Sequence, residues 1–463
     1  MKAKRVTALF LAAAMTLGLA ACGNANSGGT VEETKQETTD TEQPTEDAAQ
    51  ETTDEVQSQE VDTGKEITLQ LCTHYAGNGE SPNVDYAMEK VKEKYPNVSF
   101  EIDTFPQDGG QALKARAATG SLPDIIWLNS GLIEPLAKSG SLVQLDEYIA
   151  ANGFEDSLND AAREYCQKSS DGHIYMYSVE SVQPLVWYYN KEIFEQNNIK
   201  VPENFDELMT AVKELREKDI IPMALFGKEP WPLGAFFEAF AMKENSAGLR
   251  PFAEGTAKAS DEDYQKAIGK MKQVIDAGIF QEGVTNADHD TAYALFTAGK
   301  AAMFQNGSWA ISDMVRDLGD KVDYFTTYPT ADAGAEDTNA ASFAGGGDTV
   351  GYGVSVNTED VELATDVAKI LAEAQAEYDY SYRGSIGSST DFEQITPENP
   401  MPEMGTRMAA QIKDMSFEST MLQNFPNTEF ATGFAEEMQK FLVGESVEEF
   451  TQNLDSLIES SNQ

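Results

Sequence analysis

The hydrophobic and polar positions follow two different periods in the first part of the folded chain. Ile67 to Cys72 and Val98 to Ile102 alternate with a period of two, which predicts strands. The spacing predicts helices over about Val84 to Lys94 and Gly109 to Thr119, and Asp124 to Leu128 reads as a short buried strand. Strands and helices that alternate at this length predict an α/β fold, with parallel sheets covered by helices on both faces.

Two later segments carry apolar residues at helical spacing. The first begins after Asn204, a residue type that caps helix N-termini. The apolar positions are Phe205, Leu208, Met209, Val212 and Leu215 in the first segment, and Phe434, Met438, Phe441 and Leu442 in the second. We interpret both stripes as parts of the hydrophobic core.

The N-terminus has the pattern of a secretory signal. A basic start, Met1 to Arg5, precedes an apolar run from Val6 to Ala21. The run ends in Leu19-Ala20-Ala21-Cys22, which resembles the bacterial lipobox, where cleavage precedes the cysteine and the cysteine receives lipid. We therefore predict a lipoprotein signal peptide over residues 1–21 and lipidation of Cys22; the alternative is an ordinary secretory peptide with a chance cysteine. No second apolar run of 18 residues follows, so we expect a lipid anchor and no membrane crossing.

A polar segment follows the cysteine. Residues 23–64 contain 12 acidic residues and one lysine, with almost no large apolar side chains. Such a composition cannot offset the entropy of folding, and its like charges extend the chain. We predict that residues 22–65 are a disordered acidic tether that holds the folded part away from the membrane; an interaction tail is the alternative.

The overall charge excludes two kinds of partner. The 463 residues include 78 Asp and Glu against 33 Lys and Arg, a net charge of -45. This surface repels phosphate backbones, so we expect no nucleic-acid partner, and it lacks the basic patch that binds anionic membranes. With three Cys and three His, a disulfide scaffold or a zinc module is also excluded. Cys72 and Cys166 could pair outside the cytoplasm, but their positions in a strand and near a helix end favour two free thiols.

Motifs of known catalytic sites are missing from the sequence. It contains no G-x-S-x-G elbow, no G-x-x-x-x-G-K-[ST] loop, no H-E-x-x-H and no C-x-x-C. His74, His173 and His289 lie far apart in the sequence, without a nearby cluster of ligands. We predict no catalytic residue, no metal site and no cofactor, although the many carboxylates leave hydrolysis by an acidic pair open.

Five segments in order resemble the carbohydrate-binding family of extracellular solute-binding proteins of bacterial ABC importers, which includes maltose-binding protein. The segments are Gly120 to Trp127 ("G-x-x-P-D-hydrophobic"), Leu136 to Asp146 ("A-x-x-G-x-L-x-x-L-D"), Asp171 to Tyr175 ("D-G-K-x-Y"), Tyr188 to Leu208 ("Y-Y-N-K-x-x-F … P-x-T-W-x-E-L") and Phe296 to Ala310 ("F-x-x-G-K-A-A-M … N-G-x-W"). The resemblance covers nearly all of residues 66–463.

The resemblance implies a two-lobed fold of the periplasmic-binding-protein type, with a ligand cleft between lobes joined by hinge strands. On this basis, we predict that residues 66–180 and 300–355 form the N-terminal lobe. Residues 181–299 and 356–463 would form the C-terminal lobe. The first crossing is placed near Tyr177 to Val186, with a return near Lys300 and a second exit near Gly351 to Asn357.

The resemblance also implies that aromatic residues of the cleft bind a sugar. Trp127, Trp231 and Trp309 fall in segments whose matching positions face the cleft, and we predict Trp231 and Trp309 as stacking platforms. Trp231 follows Glu229, which would accept hydrogen bonds from sugar hydroxyls, in a turn similar to "E-P-Y" of maltose-binding protein. Trp187 sits in a buried strand and is interpreted as core.

Further candidate ligand contacts are polar. Asn129 and Ser130 follow Trp127, and Gln183 stands where maltose-binding protein has a glutamate; that protein also has an acid at the position of Ser130, so maltose itself is in doubt. The other candidates are His74 and Tyr75 at the carboxyl end of the first strand, and Asp348 in a glycine-rich loop.

The predicted function is therefore a lipid-anchored, monomeric substrate-binding protein of a Gram-positive cell surface. It would capture a neutral sugar, an oligosaccharide, by hinge closure and deliver it to an ABC permease without catalysis. The alternatives are a receptor for another solute, such as a peptide, a polyol or glycerol-phosphate, a secreted glycoside hydrolase, or an adhesin.

Overall fold

The computed structural model describes residues 64–463 except 76–80, 107, 166–168, 347–349 and 393. The predicted signal peptide, Cys22, all but the last two residues of the predicted tether, Cys166 and Asp348 lie outside the described residues. Residues Val61–Gln463 form one compact unit. Across the described part of this unit, no helix is both long enough and apolar enough to cross a bilayer.

Within the described residues, nine strands form two sheets. The strands are β1 (Ile67–Thr73), β2 (Val98–Thr104), β3 (Ile125–Leu128), β4 (Tyr177–Glu180), β5 (Leu185–Asn190), β6 (Ile221–Ala224), β7 (Ala301–Gly307), β8 (Val322–Tyr324) and β9 (Val350–Val354). The first sheet has the order β2-β1-β3-β9-β4, and the second has the order β6-β7-β5-β8.

Seventeen α-helices surround these sheets in the described residues. They are α1 (Pro82–Lys94), α2 (Gln111–Ala118), α3 (Ser130–Lys138), α4 (Asp146–Asn152), α5 (Phe154–Ser157), α6 (Asp160–Tyr165), α7 (Lys191–Gln196), α8 (Phe205–Glu217), α9 (Pro230–Glu244), α10 (Arg250–Ala253), α11 (Glu262–Asp276), α12 (His289–Thr297), α13 (Ile311–Leu318), α14 (Val361–Ser381), α15 (Glu403–Ile412), α16 (Thr428–Leu442) and α17 (Val447–Ser461). Helices α1 to α6 and α14 accompany the first sheet, and the others accompany the second.

Each sheet has its own hydrophobic core, so the fold has the two lobes that were predicted. The first core is built around β1, β3 and α14, and the second around β5, β7 and α9. Trp187 is fully buried in the second core and stacks on Phe236, as expected for a core residue. The predicted cap of α8 is present, because Asn204 Oδ1 accepts a hydrogen bond from the Glu207 backbone N–H at 3.1 Å.

The sheets are mixed, which corrects the prediction of parallel sheets. In the first sheet β1 pairs in parallel with β2 and β3, but β9 runs antiparallel to β3 and β4. In the second sheet β6 and β7 are parallel, whereas β5 is antiparallel to β7 and β8. The antiparallel strands β4, β5 and β9 are those that enter or leave a lobe.

The predicted lobe boundaries are wrong for the later part of the chain. Residues 300–355 were assigned to the first lobe, but β7 pairs with β5 from Leu185↔Gly307 to Tyr189↔Met303 and therefore belongs to the second sheet. The chain returns to the first lobe only at β9. Helix α14 then packs on α1, so residues 361–381 belong to the first lobe and not to the second.

In the part of the chain that the structure describes, three crossing segments join the lobes and form the hinge. The first lies between β4 and β5. The second precedes β9, where Gly346 N–H donates to Gln183 O at 3.2 Å. The third follows α14, where Ser181 N–H donates to Gly387 O at 2.8 Å. The segments are thus hydrogen-bonded to one another rather than independent.

Candidate ligand-binding site

A cleft of about 540 Å³ lies between the two lobes. This volume falls within the range of about 300–1,000 Å³ that small-molecule sites occupy. Residues from both lobes and from the hinge line the cleft. They are His74, Asn83, Phe105, Pro106, Gly109, Gly110, Trp127, Asn129, Leu132, Glu180, Glu229, Pro230, Trp231, His289, Trp309, Val350, Gln375, Arg383, Met421, Gln423 and Asn424.

Two half-buried tryptophans form an aromatic corner on the second lobe. The rings of Trp231, in the first turn of α9, and Trp309, just after β7, meet edge to face with centroids 5.7 Å apart. Phe226 packs edge to face behind Trp231 at 4.9 Å. A Cβ at Gly307 would overlap the Trp309 ring, so the absence of a side chain at the end of β7 makes room for this indole.

Glu229 lies beside this corner and introduces a negative charge. It precedes Pro230, which occupies the first helical position of α9, where a missing N–H costs nothing. Burial raises the pKa of Glu229, while the nearby His289 and the Trp231 side chain act in the opposite direction. His289 also lines the cleft, with its ring 5.3 Å from Phe226. The second-lobe wall therefore combines ring faces with one hydrogen-bond acceptor.

The wall of the first lobe is formed by the carboxyl ends of β1 and β3. His74 follows β1, and its ring meets that of Trp127 at 5.6 Å; the surrounding cleft walls lower the pKa of His74 to about 4. Trp127 is only 6% exposed and packs edge to face on Tyr352. Asn129 lines the cleft, but its side-chain oxygen is engaged in capping α3 through the Leu132 N–H.

Charged groups meet at the floor of the cleft, near the hinge. Arg383 contacts Asp379 of the first lobe and Asp313 of the second, both at 3.2 Å. Burial and the charge of Asp379 raise the pKa of Glu180 to about 7, against the opposing effect of Arg383. Arg383 is the one lysine or arginine among the lining residues described, and carboxylates already pair with it. The floor therefore offers no unpaired cation to an anionic ligand.

The structure brings most of the predicted ligand contacts to one place. Six of the ten line the cleft, namely His74, Trp127, Asn129, Glu229, Trp231 and Trp309. Asp348 lies outside the described residues. The remaining three, Tyr75, Ser130 and Gln183, do not line the cleft.

Each of these three residues has another place in the fold. The Tyr75 hydroxyl donates to Asp85 Oδ1 at 2.7 Å, within the first lobe. Gln183 is buried in the hinge, where its Oε1 accepts from the Ser308 hydroxyl at 2.6 Å. Ser130 instead links the lobes, because its hydroxyl donates to Asn424 O, in a 3-10 turn of the second lobe, at 3.2 Å.

The contact made by Ser130 is part of a close approach between the lobes. At the neighbouring Gly131, in α3, an added Cβ would overlap the backbone oxygen of Gln423. Across the hinge, Ser312 donates to Gly384 O at 3.3 Å. Ser130 therefore joins the two lobes beside the cleft, and Ser312 joins the second lobe to the hinge.

Sequence reasoning missed several residues that line the cleft. Glu180, Arg383, Gln375 and Gln423 reach it from the hinge, α14 and the 3-10 turn Leu422–Asn424, and none stands in a recognised motif. His289 was read as a lone structural histidine. The sequence did carry one signal for His289: it directly follows Asp288, a residue type that caps helix N-termini. In the structure, His289 is the first residue of α12 and lines the cleft. Among the described residues, no group of His, Cys, Asp and Glu could hold a metal ion.

Comparisons with known proteins agree with this architecture. Residues 78–378 match the family described as bacterial extracellular solute-binding protein. The multiple sugar-binding protein of Streptococcus mutans is 25% identical over 315 residues, which cover 65% of this chain and 71% of that protein.

Solved structures share the fold, and two of them illustrate the match. A structure from a study of xylan utilization by Caldanaerobius polysaccharolyticus has a TM-score of 0.74 at 24% identity, covering 84% of this chain and 99% of its own. A chitin oligosaccharide binding protein has a TM-score of 0.72 at 22% identity, covering 86% of this chain and 100% of its own.

These findings confirm the family resemblance seen in the sequence. The family is one of binding proteins that work outside the cytoplasm, so this chain is a binding protein and not an enzyme. Because the match covers more than half of its length, the chain belongs to the bacterial extracellular solute-binding protein family.

Proposed function

We propose that this protein captures a neutral oligosaccharide in the cleft by hinge closure and delivers it to an ABC import permease. The observation that carries the proposal is the aromatic corner of Trp231 and Trp309 beside Glu229. The names of the sugar-binding relatives and structural neighbours support the same class of ligand.

The chemistry of the cleft matches that of a sugar. A pyranose ring has apolar C–H faces, which pack on aromatic rings, and a rim of hydroxyls, which donate to carboxylates and amides. Trp231 and Trp309 supply the ring faces, and Glu229, Glu180 and Gln423 supply acceptors. An anionic sugar would meet two glutamates and an arginine that is already paired, so a neutral ligand fits better.

Hinge closure is expected because the residues that line the cleft come from both lobes. A ligand between the walls contacts both lobes only when they approach, so it favours the closed form by its additional contacts there. The contacts from Ser130 to Asn424 and from Arg383 to Asp313 would break when the lobes separate. They therefore form part of the energy difference between the open and closed forms.

The proposal includes a lipid anchor at Cys22 and an acidic tether, on a Gram-positive cell surface. The lipobox-like sequence and the composition of residues 23–64 support it. Fractionation of cells that express the full chain tests the anchor. The wild type should sediment with membranes and Cys22→Ala should not; equal membrane association of both would contradict lipidation.

Thermal unfolding of the purified full chain against mono- and oligosaccharides, peptides and polyols tests ligand class. A ligand that binds only the folded state at 100 times its Kd adds about 2.7 kcal/mol of stability, so a cognate sugar should raise the Tm clearly. Trp231→Ala should lose this shift. The control Tyr148→Ala removes a partly buried aromatic of the first lobe outside the cleft lining and should keep the shift.

The outcomes separate the alternatives. A shift with peptides or polyols but not with sugars would replace the sugar by another solute. A sugar-induced shift that Trp231→Ala retains in full would place the site elsewhere on the protein.

A further inference from the structure

A second, smaller pocket opens beside the cleft. It has a volume of about 200 Å³ and shares Gly109, Pro230 and Gln423 with the lining of the cleft. This volume is below the range of about 300–1,000 Å³ for complete small-molecule sites, so the pocket is too small to hold such a ligand alone. Because the two cavities share lining residues, it can instead receive the end of a ligand that lies in the cleft.

The junction of the two cavities is open. Gly109 adopts a positive φ of 67°, and a Cβ added there would have no atom within 4 Å. The backbone therefore turns at this position without a side chain that would fill the passage. Pro230, on the opposite lobe, is the residue between Glu229 and Trp231, so the passage starts next to the aromatic corner.

Gln423 stands at the junction with an unused acceptor. Its side-chain oxygen is buried and has no hydrogen-bond partner in the described structure, while its Nε2 lies 3.7 Å from Met421 Sδ. A buried acceptor without a donor costs free energy, and a hydroxyl from a ligand would relieve that cost. The position of Gln423 on the lining of both cavities places this acceptor where a ligand would pass from one to the other.

The far wall of the pocket is one face of α16. Thr428, Thr432 and Gln439 together span about three turns of this face, with alanines between them. Phe434 and Met438, on the other face, are buried in the core. None of the described residues that line the pocket is aromatic, in contrast to the cleft. The pocket offers hydroxyl and amide groups, and the charged residues Asp108, Lys228 and Glu436 also line it. These polar groups suit a sugar unit held by its hydroxyls rather than by stacking.

We propose that this pocket is an additional subsite for a sugar unit of the same ligand. The ligand is then a linear oligosaccharide that stacks in the aromatic corner and extends past Gln423 to α16. This inference rests on the proposed function, since it assumes that the cleft binds a sugar, and it adds a length requirement.

Calorimetric titration of the full chain with xylo-, malto- and chito-oligosaccharides, each from the disaccharide to the pentasaccharide, tests the subsite. In the series that binds, affinity should rise by about tenfold once the chain is long enough to enter the pocket. Thr432→Phe fills the pocket and should abolish this gain while leaving the shortest binding member unaffected. Lys440→Phe, at an exposed position of the same helix, is the matched control and should keep the gain.

The wild type alone can overturn the proposal. Equal affinity for all lengths within a binding series would remove the subsite and leave the proposed function intact. A gain that Thr432→Phe retains would place the extra contacts outside the pocket. Failure of every sugar to bind would instead overturn the proposed function, and the subsite with it.

Discussion

The two walls of the cleft differ in how their aromatic residues are packed and exposed. Behind the aromatic corner of the second lobe, Phe226 stacks on Phe304 with centroids 5.8 Å apart, so the exposed rings continue into the core. On the first lobe, Trp127 is nearly buried, and its neighbour Tyr352 belongs to a hydrogen-bonded chain: Thr73 and the Tyr352 hydroxyl are 2.9 Å apart, and that hydroxyl donates to Gln375.

Because of this difference, we expect the two lobes to contribute differently to ligand binding. The second lobe presents ring faces that can stack on a sugar before closure. The first lobe presents polar groups and a nearly buried indole, which can add hydrogen bonds once the lobes meet. A tryptophan on the second-lobe wall should therefore matter mainly for binding, and the tryptophan on the first-lobe wall mainly for stability.

Trp127→Ala is expected to have the largest effect of the changes considered, and to act on stability. Removing a buried aromatic side chain costs about 3–5 kcal/mol, because the lost contacts leave a cavity. Urea unfolding followed by far-UV circular dichroism should show this loss. Trp309→Ala, at a half-buried position, should lower the free energy of unfolding less and should weaken sugar binding more.

A loss of binding without a loss of stability in Trp127→Ala would contradict the proposed difference between the two walls. If Trp127→Ala keeps the stability of the wild type and loses ligand binding, Trp127 is a stacking platform and the two walls are equivalent.

A second difference concerns two acids, Glu180 at the end of β4 and Glu238 in the second lobe. Glu180 opens into the cleft and faces Arg383, whereas Glu238, in α9, is buried in the second lobe and accepts from the Leu249 N–H and the Ser419 hydroxyl. Burial raises the pKa of Glu238 to about 7 from a reference value of 4.5. The protonated form is therefore favoured in the folded state, and its contribution to stability is present below pH 4.5 and lost as the pH rises to 7.

Glu238→Gln should therefore flatten the pH dependence of unfolding. Relative to the wild type, the variant should gain roughly 3 kcal/mol in the free energy of unfolding at pH 8 and little at pH 4.5. Urea titrations at both pH values measure this, and sugar affinity, which should not change, is the control. An unchanged pH slope would mean that Glu238 is not the group that titrates.

Parts of the fold with local signals could be predicted from the sequence. The alternation in β1 and β2, the Asn204 cap and the helical stripes in α8 and α16 all depend on residues close in the chain. The assignment of β7 to the wrong lobe has a different origin. Its partner β5 lies more than a hundred residues earlier, and no local pattern states which sheet a buried strand joins.

The residues of the candidate site likewise differ in whether the sequence alone could place them. Trp231, Trp309 and Glu229 could be found because each stands in a recognisable segment. Ser130 and Gln183 could not be placed, because the partner of each, Asn424 and Ser308, is distant in sequence.

The smallest expected effect tests closure without touching the ligand. In Gly131→Ala the new methyl group would overlap Gln423 O across the cleft, so the first-lobe wall could not approach the second as closely. The closed form would lose population, and sugar affinity should fall about three- to tenfold, the equivalent of roughly 1 kcal/mol. Gly269→Ala, in α11, adds the same methyl group where no atom lies within 4 Å, and its affinity should match that of the wild type. Small-angle scattering with sugar should show Gly131→Ala more extended than the control. Equal affinity and shape in the two variants would mean that this contact takes no part in closure, and that the first-lobe wall acts through its hydrogen bonds alone.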